Sequence, residues 1–471
     1  MKPPLLSGAA IYAFLSLLVS RAQAQPGSLD ITFNPGSGPS GGGGVRCMAV
    51  ETNGQIVIGG GFTSFNGTQC SYVARLNSDG SLDSTFNPGV GPNGAVIAVA
   101  VEPAGEILIG GQFSSVNGVP WDQPALLRAD GSLDTGFDTS FTDGAGVNPD
   151  YNTPIEWMAL QADGKILISG AFTVVSGTNY NGIARLDTNA SLDVTFNPGT
   201  AAQNGSIKAI GLQSTGDIIV GGNFTAFNGV QCNYVARLTP DGNVDTAFNA
   251  GLQDGSVVAL AVTPQDQIII CGTFTSINGY SRNGIARLNA DGSLDATFNP
   301  GLGVGGSVSG IYAQSDGRVV IEGTFSQFNA TPCAGLARLN TNGTLDVSFN
   351  VGTGPTYLGA IICMAGQPDG KTLIAGSFTS FNGTTVNGIA RLNGDGAIPA
   401  APILLNPQLY FGMNLSGTVS NTYLIEWTTN LNTPSLWTPL FDVTLQNNSQ
   451  FVVDSNSPAG NRFYRAVQIA P

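Results

Sequence analysis

The residues with chemistry to offer fall in two places. One is the irregular stretch "DTSFTDGAGVNPDYNTPIEW" at 138–157, which brings Asp138, Asp143, Asp150, Tyr151, Glu156 and Trp157. Trp121 and Asp122 stand a short way upstream. Aromatic rings beside carboxylates can stack on a sugar or hold a cation, and long loops on a rigid scaffold are where function concentrates. Trp121, Asp122, Asp138, Asp143, Asp150, Tyr151 and Trp157 are therefore the candidate ligand-binding residues. The other place is "NADGSLD" at 289–295, where Asn289, Asp291, Ser293 and Asp295 alternate around Gly292 with the oxygen spacing of a calcium loop. An EF-hand needs its glycine sixth and a bidentate glutamate twelfth, which this stretch lacks. Sister copies also lose ligands, with Asn189, Asn243 and Asn342 at these positions. A structural turn is the preferred reading, with calcium as the lesser alternative and no other cofactor expected.

Catalysis finds little support. The chain has no histidine, so a Ser–His–Asp arrangement and histidine metal ligands are both ruled out. Paired carboxylates can hydrolyse a glycoside, but nothing fixes two of them at a defined separation. No catalytic residue is assigned.

The elements that position these residues come from a repeat. "GSLDxTFNPG" and its variants place an aspartate at 30, 83, 134, 193, 245, 295 and 346, at intervals of 50 to 59 residues. Between markers run an apolar alternation such as "SVVALAV", then "IGGxFTSFNG", then "GIARLNxDG". Each segment is short, β-branched or aromatic, and bounded by Gly, Asn, Asp or Pro, which marks strands. The Asp-Gly and Asn-Gly pairs, Asn53-Gly54 and Asp79-Gly80 among them, suit type I′ hairpins. Four strands in about fifty residues make a propeller blade, and seven copies predict an all-β, seven-bladed β-propeller. The chain opens on a lone fourth segment, "SLDITFNPG" at 28–36, and leaves the last repeat without one. Pairing of the N- and C-terminal strands would close the ring and leave no exposed edge. A linear solenoid is the weaker alternative.

The words "ARLNxDGSLDxTFNPG" and "QPDGKxLIxGxFTSFNG" resemble the delta-60 repeat family, over residues of about 28–396. That resemblance implies a β-propeller of secreted and surface proteins, mostly bacterial, and no reaction.

Charge recurs on the same frame. Arg75, Arg185, Arg237, Arg287, Arg338 and Arg391 share one third-strand position, and the marker aspartate follows in every copy. In a chain with only 10% charged residues this pattern predicts structural ion pairs, Arg75 with Asp83 and Arg287 with Asp295 among them. The second repeat has Leu126 at the arginine position and Arg128 two residues on, which suggests compensation. Cys70, Cys232 and Cys333 sit in repeats that are not neighbours, beyond disulfide reach. Cys47 and Cys363 would become adjacent on closure, and free thiols remain the default for all six cysteines.

A net charge of −14 without a basic stripe excludes nucleic acid as a partner. Residues 1–24 read as a signal peptide, with Lys2, a short apolar core and Ala22-Gln23-Ala24 as the cleavage site. No later stretch is apolar enough to span a bilayer. The propeller covers 25–396 and a proline-marked linker 397–407. Residues 408–471 alternate as strands, with Trp427, Trp437, Phe451 and Tyr464 as core candidates. This tail resembles a small β-sandwich module at the C-termini of exported bacterial proteins. The expected function is a secreted, extracellular or cell-surface, non-catalytic binding protein that presents a propeller loop face to a glycan or surface protein. The alternatives are a carboxylate-based enzyme acting on polysaccharide and a purely structural envelope protein.

Overall fold

The computed structural model describes residues 25–102, 104–121, 123–137, 155–175, 178–189, 191–357 and 360–395, together with the strands 411–416, 422–428, 438–444, 449–454 and 463–470. The expected signal peptide and linker lie outside the described residues. No described helix is long and apolar enough to cross a membrane. The chain divides into two compact units between Ala397 and Ile398.

In the first unit each repeat builds an antiparallel three-stranded sheet. In the first blade the strands are Val45–Val50 (inner), Ile56–Gly60 (middle) and Val73–Leu76 (outer), in that spatial order. The middle strand of the first blade is apolar on both sides, and its Ile56, Val57 and Ile58 are fully buried. That burial is the main stabilising term of a blade. The inner strand of the first blade lies against those of the second and the seventh. Phenylalanines recur at two repeat positions, as in Phe62 and Phe86, and fill the space between blades.

The fourth segment departs from the expected strand. It makes a single bridge per blade, such as Leu76 with Leu82 or Leu288 with Leu294, and then turns away. The marker aspartate ends the pairing. Asp83 Oδ1 accepts the Thr85 N–H at 2.9 Å and the Thr85 hydroxyl at 2.7 Å, a local turn that competes with the ladder. Residues 27–30 take this place in the seventh blade. Leu29 bridges Leu392, the Asp30 N–H reaches the Arg391 carbonyl at 2.8 Å, and the Asn393 N–H reaches Ser28 at 2.8 Å.

The turns also differ from expectation. At Asn53-Gly54 only the glycine has positive φ, 87°. The Gly54 N–H bonds the Glu51 carbonyl and the Glu51 N–H bonds that of Gln55, which makes a three-residue loop with one left-handed residue. Type I′ geometry falls instead at the "FNG" words. There Asn66 and Gly67 have φ of 52° and 74°, inside a short hairpin of Ser64–Phe65 with Thr68–Gln69.

The second unit holds two antiparallel sheets. Phe411–Ser416 pairs with Ser449–Asp454, and Thr422–Thr428 lies between Thr438–Thr444 and Phe463–Ala470. The side chains of Trp427, Trp437, Phe451 and Tyr464 lie outside the described residues.

Candidate functional site

The repeated charges come first, because they show which groups are committed to structure. Arg75 Nε bonds Asp83 Oδ2 at 2.8 Å, and Arg287 Nε bonds Asp295 Oδ2 at 2.8 Å. The same pair recurs as Arg185–Asp193, Arg237–Asp245, Arg338–Asp346 and Arg391–Asp30. Each guanidinium also lies over the phenylalanine of its own fourth segment, Arg75 at 5.1 Å from the centre of Phe86. A further bond crosses to the next blade: Arg75 to the Ala129 carbonyl at 2.7 Å, Arg287 to Thr341 at 2.7 Å, Arg391 to Ser78 at 2.6 Å. Sequence reasoning missed these acceptors because a backbone carbonyl carries no residue signature.

The second blade breaks the pattern. Leu126 is buried in an apolar cluster with Phe137 where the others hold an arginine. Arg128 does bond Asp134 at 2.8 Å, but its side chain is 49% exposed against 8% for Arg75. Arg128 follows the end of the strand and reaches solvent rather than the next blade, so it replaces the pair and not the cross-blade bond.

The oxygens of the calcium-like stretch have partners within the turn. Asp291 Oδ1 accepts the Ser293 N–H and hydroxyl, and Asn289 presents its amide nitrogen to Ser293. Asp295 accepts from Thr297, Arg287 and Gln267. All six cysteines are free thiols, Cys47 and Cys363 included.

Of the candidate ligand residues, Asp122, Asp138, Asp143, Asp150 and Tyr151 lie outside the described residues. Trp121 packs against the core of the first two blades, and its buried indole N–H has no acceptor among the described residues. Trp157 is not in a loop: it belongs to the third inner strand, Ile155–Leu160, and packs on the core of the second to fourth blades. The two rings join different apolar clusters.

A set that the sequence did not announce lies on the inner strands. All seven carry a β-bulge at the same place, in the first blade between Val45 and Cys47. A bulge leaves one residue out of the ladder and re-aims its side chain. The bulged residues are Arg46, Ile97, Glu156, Lys208, Val258, Ser309 and Ile362. Each follows the first residue of its strand, which pairs with the end of the middle strand, as Val45 does with Gly60. They therefore sit at the same end of the blades as the "FNG" hairpins.

Charge sharpens the contrast. Ten of the thirteen Lys and Arg residues in 25–395 bond a carboxylate. Arg46, Lys208 and Arg282 have no such bond among the described residues. All three stand at the hairpin end, two of them on bulges.

Repeated antiparallel blades with inner strands in mutual contact define a β-propeller. The chain belongs to the family described as "Domain of unknown function (DUF5122) beta-propeller", whose model matches 51–86, 103–137, 161–196, 213–248, 265–298, 314–349 and 367–398. That description does not carry the delta-60 name. No curated protein matches the sequence. Among solved structures, one described as YCF48 bound to D1 peptide is similar at 13% identity and a TM-score of 0.44, over 80% of this chain and 100% of that one. PorZ of Porphyromonas gingivalis, described as a bacterial surface component of the type-IX secretion system, is similar at 14% identity and a TM-score of 0.42, over 93% of this chain and 60% of that one. Regucalcin of Agrobacterium tumefaciens, described as a calcium-binding protein, follows at 11% identity and a TM-score of 0.35, over 64% of this chain and 88% of that one. Likeness at this level says nothing about activity.

Proposed function

We propose that this is an exported, non-catalytic binding protein, a closed seven-bladed propeller that presents the hairpin end of its blades to a surface glycan or surface protein. One observation carries the reading. The structural positions repeat with little change from blade to blade, while the bulged position holds Arg46, Ile97, Glu156, Lys208, Val258, Ser309 and Ile362, seven residues of six types. A scaffold that repeats its packing but varies one row, exposed at five of its positions and half-buried at Ile97 and Val258, separates the fold from recognition. The two bulged cations, without carboxylate partners in a protein of net charge −14, favour a partner with anionic groups. The insertion at 138–154 leads into the third inner strand at this end, so its carboxylates and Tyr151 would extend the surface. No metal enters the proposal. The test is an array carrying both glycans and surface proteins, probed with the wild type and with the Arg46→Ser/Lys208→Ser double variant. Export would be checked by N-terminal sequencing of secreted protein, expected to begin near Gln25.

A further inference from the structure

Arg282 is the third cation without a carboxylate partner, and it differs from the other two by being buried, at 8% exposed. In the remaining six blades its position holds Cys70, Trp121, Tyr180, Cys232, Cys333 and Val386, all thiol, aromatic or aliphatic. The hairpin pairing continues through it, with its N–H bonded to the Thr275 carbonyl at 2.9 Å. Among the described residues its guanidinium has one acceptor, the Ser281 carbonyl at 2.8 Å from Nη1. Its Nε is shut off from solvent and has no acceptor among the described residues. A buried cation with an unmet donor is unfavourable, and the group that relieves it is an anion. The Nε–Nη2 edge of a guanidinium matches the two oxygens of a carboxylate. Asp254, which caps the start of this hairpin, already accepts from Thr275 and Ser276 and makes no bond to Arg282 among the described residues.

The surroundings narrow the carrier of that carboxylate. Tyr280 is 62% exposed and lies two residues before Arg282, at the start of the second hairpin strand. Leu302 is 79% exposed and stands beside the hairpin, its carbonyl bonded by Asn283. An exposed aromatic ring two residues from an arginine suits a pyranose whose flat face stacks on the ring while its carboxylate meets the cation.

We infer that Arg282 and Tyr280 form a site for a uronate residue of an acidic saccharide. The inference rests on the reading that the hairpin end meets the partner, but it uses neither Arg46 nor Lys208. The probe is a galacturonate trimer, titrated against the full chain beside its methyl ester and a hexaglutamate peptide. The wild type is expected to bind the trimer, and the ester at least about tenfold more weakly because the charge is lost. Arg282→Val installs the residue of the seventh blade; it should melt at or above the wild-type temperature and lose the trimer at least about tenfold. Tyr280→Ala should weaken the trimer and leave melting unchanged. Unchanged affinity in folded Arg282→Val, equal affinity for the ester, or no binding of the trimer by the wild type would overturn the inference. Hexaglutamate bound as tightly as the trimer would overturn the saccharide assignment. Trimer binding that survives Arg46→Ser/Lys208→Ser but not Arg282→Val separates this site from the bulged row.

Discussion

Asp30 Oδ2 accepts a hydrogen bond from Arg391 Nε at 2.8 Å across 361 residues of chain. Lys371 reaches the same oxygen at 3.0 Å, and Phe33 lies under the guanidinium at 4.9 Å. The set is the one that Arg75, Asp83 and Phe86 make within a single repeat. Asp30→Ala leaves Arg391 buried without its acid and is expected to destabilise the first unit by about 3–5 kcal/mol. Urea unfolding of Asp30→Ala and Asp83→Ala should give similar losses. A loss below about 1 kcal/mol for Asp30→Ala alone would mean that the N-terminal segment is dispensable to the seventh blade.

Burial separates the arginines by consequence. Arg75→Ala removes a buried pair, a stacked guanidinium and a bond to the next blade, and should cost about 3–5 kcal/mol. Arg128→Ala removes an exposed pair and should cost less than about 1 kcal/mol. Equal losses in thermal or urea unfolding would contradict the assignment of the cross-blade bonds.

The paired aspartates make the fold acid-sensitive. Burial works to raise the Asp30, Asp83, Asp193, Asp295 and Asp346 carboxyls, but hydrogen bonds and arginine or lysine charges outweigh it and hold all five below the ordinary value. A depressed carboxyl contributes its stability in full above its unfolded pKa of about 3.9 and loses it as pH falls toward the folded value. The urea midpoint should therefore drop steeply below about pH 4. A midpoint unchanged from pH 5 to pH 2 would refute this.

Glu322 works in the opposite sense. It stands in the sixth middle strand where other blades hold Gly59, Gly110 or Gly221, and burial pushes its carboxyl up to about 7 with only a partial offset from Ser309. Room for it comes from Gly310 opposite, where a Cβ would fall 2.3 Å from Glu322 Oε1. A raised carboxyl binds its proton more tightly in the folded state, so stability falls as pH rises from 4.5 to about 7, by roughly 3 kcal/mol. Glu322→Gln should remove that slope and be the more stable protein at neutral pH. Parallel pH profiles for the two would exclude the effect.

The sheet and its repeat were legible because they rest on side-chain pattern. Alternation marked the inner strands, β-branched runs such as Ile56-Val57-Ile58 marked the middle ones, and an arginine eight residues before an aspartate marked the pair. What stayed hidden depends on backbone. "SLDxTF" has strand composition, yet the Asp83 carboxylate turns the chain after one bridge. Asn-Gly in "FNG" and Asp-Gly in "DG" look alike in sequence, but only the first is a two-residue loop. The bulged row had no signature because its residues differ in kind; the one available signal was the lost phase of alternation after Val45. Five of the seven candidate ligand residues, Asp138 and Asp143 among them, fall outside the described residues, while Trp157 lies in the strand Ile155–Leu160, which begins inside the irregular stretch with no turn residue after Pro154 to mark it.

The central claim is that the bulged row at the hairpin end recognises a partner. The most direct measurement compares wild type, Arg46→Ser/Lys208→Ser and the exposed-cation control Arg128→Ser on one array of surface glycans and surface proteins. Spots bound by the wild type should persist with the control and disappear with the double variant, all three proteins melting alike. An unchanged binding pattern in the double variant, or no spot bound by the wild type, would contradict it.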